Sequence, residues 1–216
     1  MKKKFILLSL FVCILMTGCT PVQKMSLGDI INKETNRTVE VYNKYRKGYK
    51  YNLPIGLDVY DNSDYNEVLM DSNYVYYLYV DAVSYYNKVI EKYEVSDKAY
   101  ISMPINYYDK YGYLEITEKE NGKYFIEIMY NYAKIEVVIK KRDINVVVAN
   151  SLSVLASIHF NNDILKSLLG DEISQFSEFD FNIFETTTTT VDSEYLQAMD
   201  DYVYEGNDIH DTDLIK

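Results

Sequence analysis

The chain has no tryptophan, two cysteines, two histidines, three prolines and eight glycines in 216 residues. Each shortage closes a route. The scattered glycines leave no loop to cradle a phosphate, and G-x-S-x-G, S-x-x-K and H-E-x-x-H are all absent. Two cysteines exclude a disulfide framework and a cysteine-rich zinc site. Two histidines confine imidazole chemistry to His159 and His210. No cofactor is expected.

Positive charge is also in short supply, with a net charge of −11. The deficit is uneven. Residues 1–18 hold three lysines and no acid, whereas from Asp171 onward thirteen acidic residues stand against one lysine, a net of −12. Residues 19–170 are then nearly balanced, at −2. Lacking a basic surface, the chain is not expected to bind nucleic acid. Its acidic end reads as a solvated, partly disordered segment over 186–216.

There is one long apolar run. Residues 5–16 are apolar apart from Ser9 and follow Lys2, Lys3 and Lys4. The run falls short of the ~20 residues of a spanning helix and fits a secretory leader. It ends in Met16-Thr17-Gly18-Cys19, which resembles the lipobox of bacterial lipoproteins, with Met16 where that pattern usually has Leu. The resemblance covers residues 1–19. It implies cleavage before Cys19, thioether attachment of a diacylglycerol carrying chains such as palmitate, and anchorage on the outer face of the cytoplasmic membrane. At ~0.8 kcal/mol per buried methylene, several acyl chains hold where one does not. Cys13 would leave with the leader, so the mature chain would have no second thiol.

Beyond an expected tether over 19–26, hydrophobic spacing divides the chain. Residues 26–47 mix helical and extended signals. Leu53, Ile55, Leu57 and Val59 alternate, as do Ala99, Ile101, Met103, Ile105 and Ala133, Ile135, Val137, Ile139, the mark of strands with one buried face. Residues 74–83 are apolar or aromatic on both sides except Asp81, which predicts a central strand. Pro104 places its strand at an edge. In YGYLEITEKENGKYFIEIMY, Asn121-Gly122 fits a hairpin turn with two positive φ angles. The period then becomes helical. Asp143 is placed to cap a helix with Ile144, Val147, Val148, Leu152, Leu155 and Ile158 on one stripe, and His159 falls on that stripe. Asn161 or Asn162 opens a second helix that Gly170 would stop. Alternation returns at Phe179, Phe181 and Ile183, and Ser193 is a candidate cap for a last short helix.

The expected fold is α+β: mainly antiparallel β-sheet with a helix pair after the main run of strands, one domain over 27–185. The stretch YKYNLPIGLDVY is similar to the opening strand of PsbP/Mog1-like domains, where an apolar strand runs into Leu-Pro before a Gly. That implies an architecture and no activity.

No catalytic constellation emerges. His210 lies among Asp208, Asp211 and Asp213 without the spacing of a calcium loop. Asp61, Asp64 and Glu67 in YDNSDYNE read as a turn between strands. Tyrosine is the one excess, at 24 residues. Tyr107, Tyr108, Tyr111 and Tyr113 straddle a turn and form the candidate binding surface, since tyrosine offers large contact area at low entropic cost. The expected role is a non-catalytic binding or accessory module held to the membrane through its lipid anchor, with an envelope protein or a glycan as partner. The alternatives are a cell-wall or glycan-acting enzyme and a solute-binding lipoprotein.

Overall fold

The computed structural model describes residues 21–169 except positions 64 and 91. The leader, Cys19, Gly170 and the acidic segment with His210, Phe179, Phe181, Ile183 and Ser193 lie outside the described residues.

A single 3-10 turn, Val22–Lys24, precedes helix α1, Leu27–Thr35. Ser26 caps α1, its Oγ accepting the Asp29 N–H at 3.1 Å. The mixed signals of 26–47 thus separate into this helix and an extended stretch ending in strand β1, Lys44–Arg46. Of the residues expected to tether the domain, Val22, Gln23 and Met25 accept hydrogen bonds from Asn145 Nδ2 through their carbonyls.

β1 pairs with β2, Tyr49–Tyr51, around Gly48 at φ 96°. Then follow β3, Asp58–Ser63, β4, Asn66–Met70, and β5, Val75–Val80. A short helix α2, Ala82–Asn87, leads toward β6, Ile101–Tyr107. Next come β7, Lys110–Glu118, β8, Lys123–Tyr130, and β9, Ala133–Lys140. The long helix α3, Ile144–Ser157, two-residue β10, His159–Phe160, and helix α4, Asn162–Leu169, complete the described chain.

The strands form two sheets, a seven-stranded one in the order β3-β4-β5-β9-β8-β7-β6 and a three-stranded one in the order β1-β2-β10. Every pairing is antiparallel. The fold is α+β, with the helix pair α3 and α4 after the main strands and α1 and α2 earlier in the chain. β9 and β5 lie inside the large sheet, and β6 with Pro104 is its edge, as the missing N–H requires.

α3 packs on the inner face of the large sheet, against β8 and β9, with α1 against its side. Ile126, Ile128, Ile135, Val137, Val148, Leu152, Val154 and Leu155 make the centre of this core, each fully buried. α3 buries far more than one stripe: Ser151, Ser153 and Ser157 are buried as well. At its start, Asp143 occupies the N-cap position without capping, because its carboxylate instead accepts the Tyr74 hydroxyl at 2.6 Å. Asn161 does cap α4, its Oδ1 accepting the Ile164 N–H at 3.1 Å.

Four expectations need correction. The alternation from Leu53 to Val59 is not one strand. Ile55 is fully exposed, and the Leu57 N–H bonds back to the Pro54 carbonyl around Gly56 at φ 96°, a turn that sits between β2 and β3. The central strand ends at Val80. Asp81 turns the chain and caps α2, its Oδ1 accepting the Ser84 N–H at 2.8 Å, so Val83 is helical. Glu67 is not a turn residue but a buried side chain of β4. His159 leaves the helical stripe because α3 stops at Ser157 and Ile158 is extended. The imidazole is exposed on β10, 6.0 Å from the Tyr42 ring.

Candidate functional site

Antiparallel register places the strands' alternate residues in rows across the outer face, away from α3. One row reads Asp61, Val68, Tyr77, Glu136, Glu127, Glu115 and Ser102 from β3 to β6. The next reads Ser63, Asn66, Tyr79, Lys134, Met129, Tyr113 and Pro104. The inner face is mostly aliphatic, with Tyr76, Tyr124, Tyr130 and Glu67 set into it, whereas these rows are polar and aromatic. The chemistry of the described residues is concentrated here.

The β9-β8-β7 half is covered. Strand order obliges the connection from β5 to β6 to cross three strands, and the segment with Tyr93 and Ser96 lies on that crossing. Tyr93 lies flat on Tyr113, ring centroids 4.2 Å apart, and its hydroxyl donates to Glu115 at 2.7 Å. Burial pushes the Tyr93 hydroxyl up to about 12. Ser102 Oγ, 2.5 Å from that hydroxyl, also accepts the Ser96 N–H.

Beneath the crossing, three glutamates stand side by side. Like charges in directly opposed positions oppose pairing, so this row needs compensation. Lys134, only 4% exposed, bonds Glu136 at 2.6 Å and approaches Glu127 at 3.5 Å. The Tyr113 hydroxyl donates to Glu127 at 2.6 Å. Glu127 and Glu136 sit opposite each other across β8 and β9, both against the Lys134 ammonium. Burial raises the Glu136 carboxyl above its ordinary range, Lys134 pulls it back, and Glu127 adds to the rise.

The β3-β4-β5 half is open. A hollow of about 280 Å³ is lined by Asp61, Asn62, Ser63, Asn66, Val68, Tyr77 and Tyr79, with Glu67 and Leu78. Glu67 contributes no free carboxylate, because Tyr49, Tyr51 and Arg46 take it at 2.8, 2.7 and 2.5 Å. Tyrosine rings beside amides, a hydroxyl and the Asp61 carboxylate suit a hydroxyl-bearing ligand.

The four tyrosines singled out in sequence do not form one surface. Tyr113 is 8% exposed and lies under Tyr93, while Tyr111 is partly exposed on the outer face. Tyr107 packs partly against the core, and Tyr108 stands 85% exposed in the β6–β7 turn at φ 52°. Tyr107 and Tyr108 meet edge to face at 4.5 Å. Two regions therefore divide them, the covered face and the turn end.

Sequence reasoning missed the glutamate row. Its signal was present: Leu114-Glu115-Ile116, Ile126-Glu127-Ile128 and Ile135-Glu136-Val137 each set one acid between aliphatic residues in successive strands. Among the described residues, no three His, Cys, Asp or Glu side chains are grouped to hold a metal ion, and no helix is long and apolar enough to cross a membrane. No family model and no curated protein matches the chain. The likeness to PsbP/Mog1-like domains rests on its dozen residues alone.

Proposed function

We propose that the chain is a lipoprotein of the outer face of the cytoplasmic membrane, anchored through Cys19, whose domain is a non-catalytic binding or accessory module of the cell envelope. The observation that carries the anchor is the coincidence of Lys2–Lys4, a short apolar run and Gly18-Cys19 just ahead of Pro21, where the described fold begins. The binding role draws on the open half of the outer face and on the exposed Tyr108 end. A glycan or an envelope protein is the proposed partner.

The enzyme alternative would draw on Glu127 and Glu136, since paired carboxylates carry out glycoside hydrolysis. Their ion pair with Lys134 and their burial favour a structural role instead.

Replacement of Cys19 by Ser tests the anchor. The variant is expected to move from the membrane to the soluble fraction and to stop incorporating labelled palmitate in cells. Retention on membranes without detergent would overturn the lipidation reading. Cross-linking of the anchored protein in cells tests the module reading, with reproducible capture of one envelope component expected.

A further inference from the structure

The fold has two ends, and their charge differs. At one end lie the 3-10 turn Val22–Lys24, the start of α3, the β7–β8 turn and the last residues of β9. Asn145 joins the first two, its side-chain amide donating to the carbonyls of Gln23 and Met25 at 3.2 and 2.8 Å. At the other end lie the β6–β7 turn with Tyr108 and the β8–β9 turn with Asn131 and Tyr132. β7 and β8 span the distance between them, about 3.4 Å per residue.

The first end is studded with cations. Lys123 and Lys140 face each other across β8 and β9. Lys141 and Arg142 follow immediately and are exposed, Lys119 sits in the adjoining turn, and Lys24 is exposed on the docked N-terminal segment. Of the neighbouring acids, Asp71 and Asp143 accept from Tyr76 and Tyr74, and Asp143 also pairs with Arg142, while Glu118 and Glu120 are exposed, so these six cations stand against four acids. Meanwhile α3 carries the chain to the opposite end before the acidic segment begins beyond α4.

We propose that this basic end is a docking surface for anionic phospholipid headgroups, so that the domain stands upright on the membrane with the Tyr108 end outward. The proposal rests on lipidation of Cys19. Between Cys19 and Pro21 there is room for only roughly 7 Å of extended chain. That short span keeps the Val22–Lys24 turn, and the start of α3 bonded to it, on the side of the fold nearest the anchor, where exposed cations meet headgroup charge that is screened over about 8 Å at physiological salt. Polybasic clusters beside a membrane attachment are drawn to anionic leaflets on this physical ground.

The test uses the full lipidated chain reconstituted into vesicles. With Cys19 acylated, a single new thiol introduced by Glu120→Cys or by Asp109→Cys takes a fluorophore at opposite ends of β7. Quenching by a nitroxide on the lipid headgroup reports proximity, in phosphatidylglycerol-containing and in purely phosphatidylcholine vesicles. The expected result is several-fold stronger quenching at position 120 than at 109 in the anionic vesicles. The difference should shrink without anionic lipid and with Lys140→Glu, Lys141→Glu and Arg142→Glu combined, while the protein still co-floats. Equal quenching at the two positions, or the same difference in both lipids, overturns the docking surface. Failure to co-float in either vesicle type instead points to the lipidation reading, and mass measurement of the purified chain separates that case.

Discussion

Glu67 has no exposed side-chain surface, yet three donors converge on it: Arg46 Nη2 at 2.5 Å and the hydroxyls of Tyr49 and Tyr51. Burial, reinforced by the glutamate's charge, pushes both phenols far above their ordinary range, so they remain donors at any working pH. This one carboxylate joins the small sheet to the large one. Truncating it would leave a partly buried guanidinium and two phenols without their acceptor. Glu67→Ala is therefore expected to cost about 3–5 kcal/mol, read as a lower urea midpoint. Glu67→Gln should cost less, because an amide oxygen still accepts. The Glu136 carboxyl gives a prediction of opposite character. Its folded value is raised, so its contribution to stability is fully present below the unfolded glutamate value of about 4.3 and is lost as pH rises through the folded value. Wild type should lose stability relative to Glu136→Gln between acid and neutral pH. Parallel melting curves for the two proteins across that range would mean that Lys134 already neutralises the row.

The β7–β8 hairpin shows what an element's sequence discloses and what it conceals. Asn121 and Gly122 have φ 61° and 70°, as the turn signal predicts, and the Lys123 N–H bonds the Glu120 carbonyl. A strict two-residue loop would pair Glu120 with Lys123 and set Glu115 opposite Ile128. Instead Lys119 N–H bonds the Lys123 carbonyl, and one extra loop residue shifts the register so that Leu114 meets Ile128 and Glu115 meets Glu127. Burial of the aliphatic face decides register, because a slip of one residue would expose it. The alternating strands, the Pro104 edge and the helix pair were legible because local spacing carries them. The glutamate row was not, since it depends on pairing among strands far apart in sequence. His159 was misplaced because nothing in the helical period marks where α3 ends. Gly112 marks the same close approach of strands: a Cβ there would lie 1.9 Å from the Met129 carbonyl oxygen. Gly112→Ala must therefore part β7 from β8. We expect that variant to be recovered mainly unfolded or aggregated, while Thr117→Ala on the same strand stays soluble with a near-native circular dichroism spectrum.

At the scale of the molecule, the buried hydrophobic side chains of the described residues run from Ile30 to Leu165 and, apart from Val75 and Tyr113, form one connected core around α3. The net charge of −12 from Asp171 onward has no comparable positive counterpart on the described domain, which is close to neutral. Apolar burial, at roughly 25 cal/mol per Å², accounts for stability within 30–165, and the acidic segment offers few aliphatic residues to add to it. Deleting residues 186–216 should therefore leave the thermal midpoint of the soluble domain within about a degree or two, where each 1 kcal/mol corresponds to roughly 2–4 °C for a chain of this size. A loss of several degrees would mean that the segment packs on the domain, with the Lys140–Arg142 corner the first place to look for its contact. The same deletion read on vesicles should strengthen headgroup contact at the basic end, because an acidic segment opposes approach to anionic lipid, and the thermal midpoint then tells a free segment from a packed one.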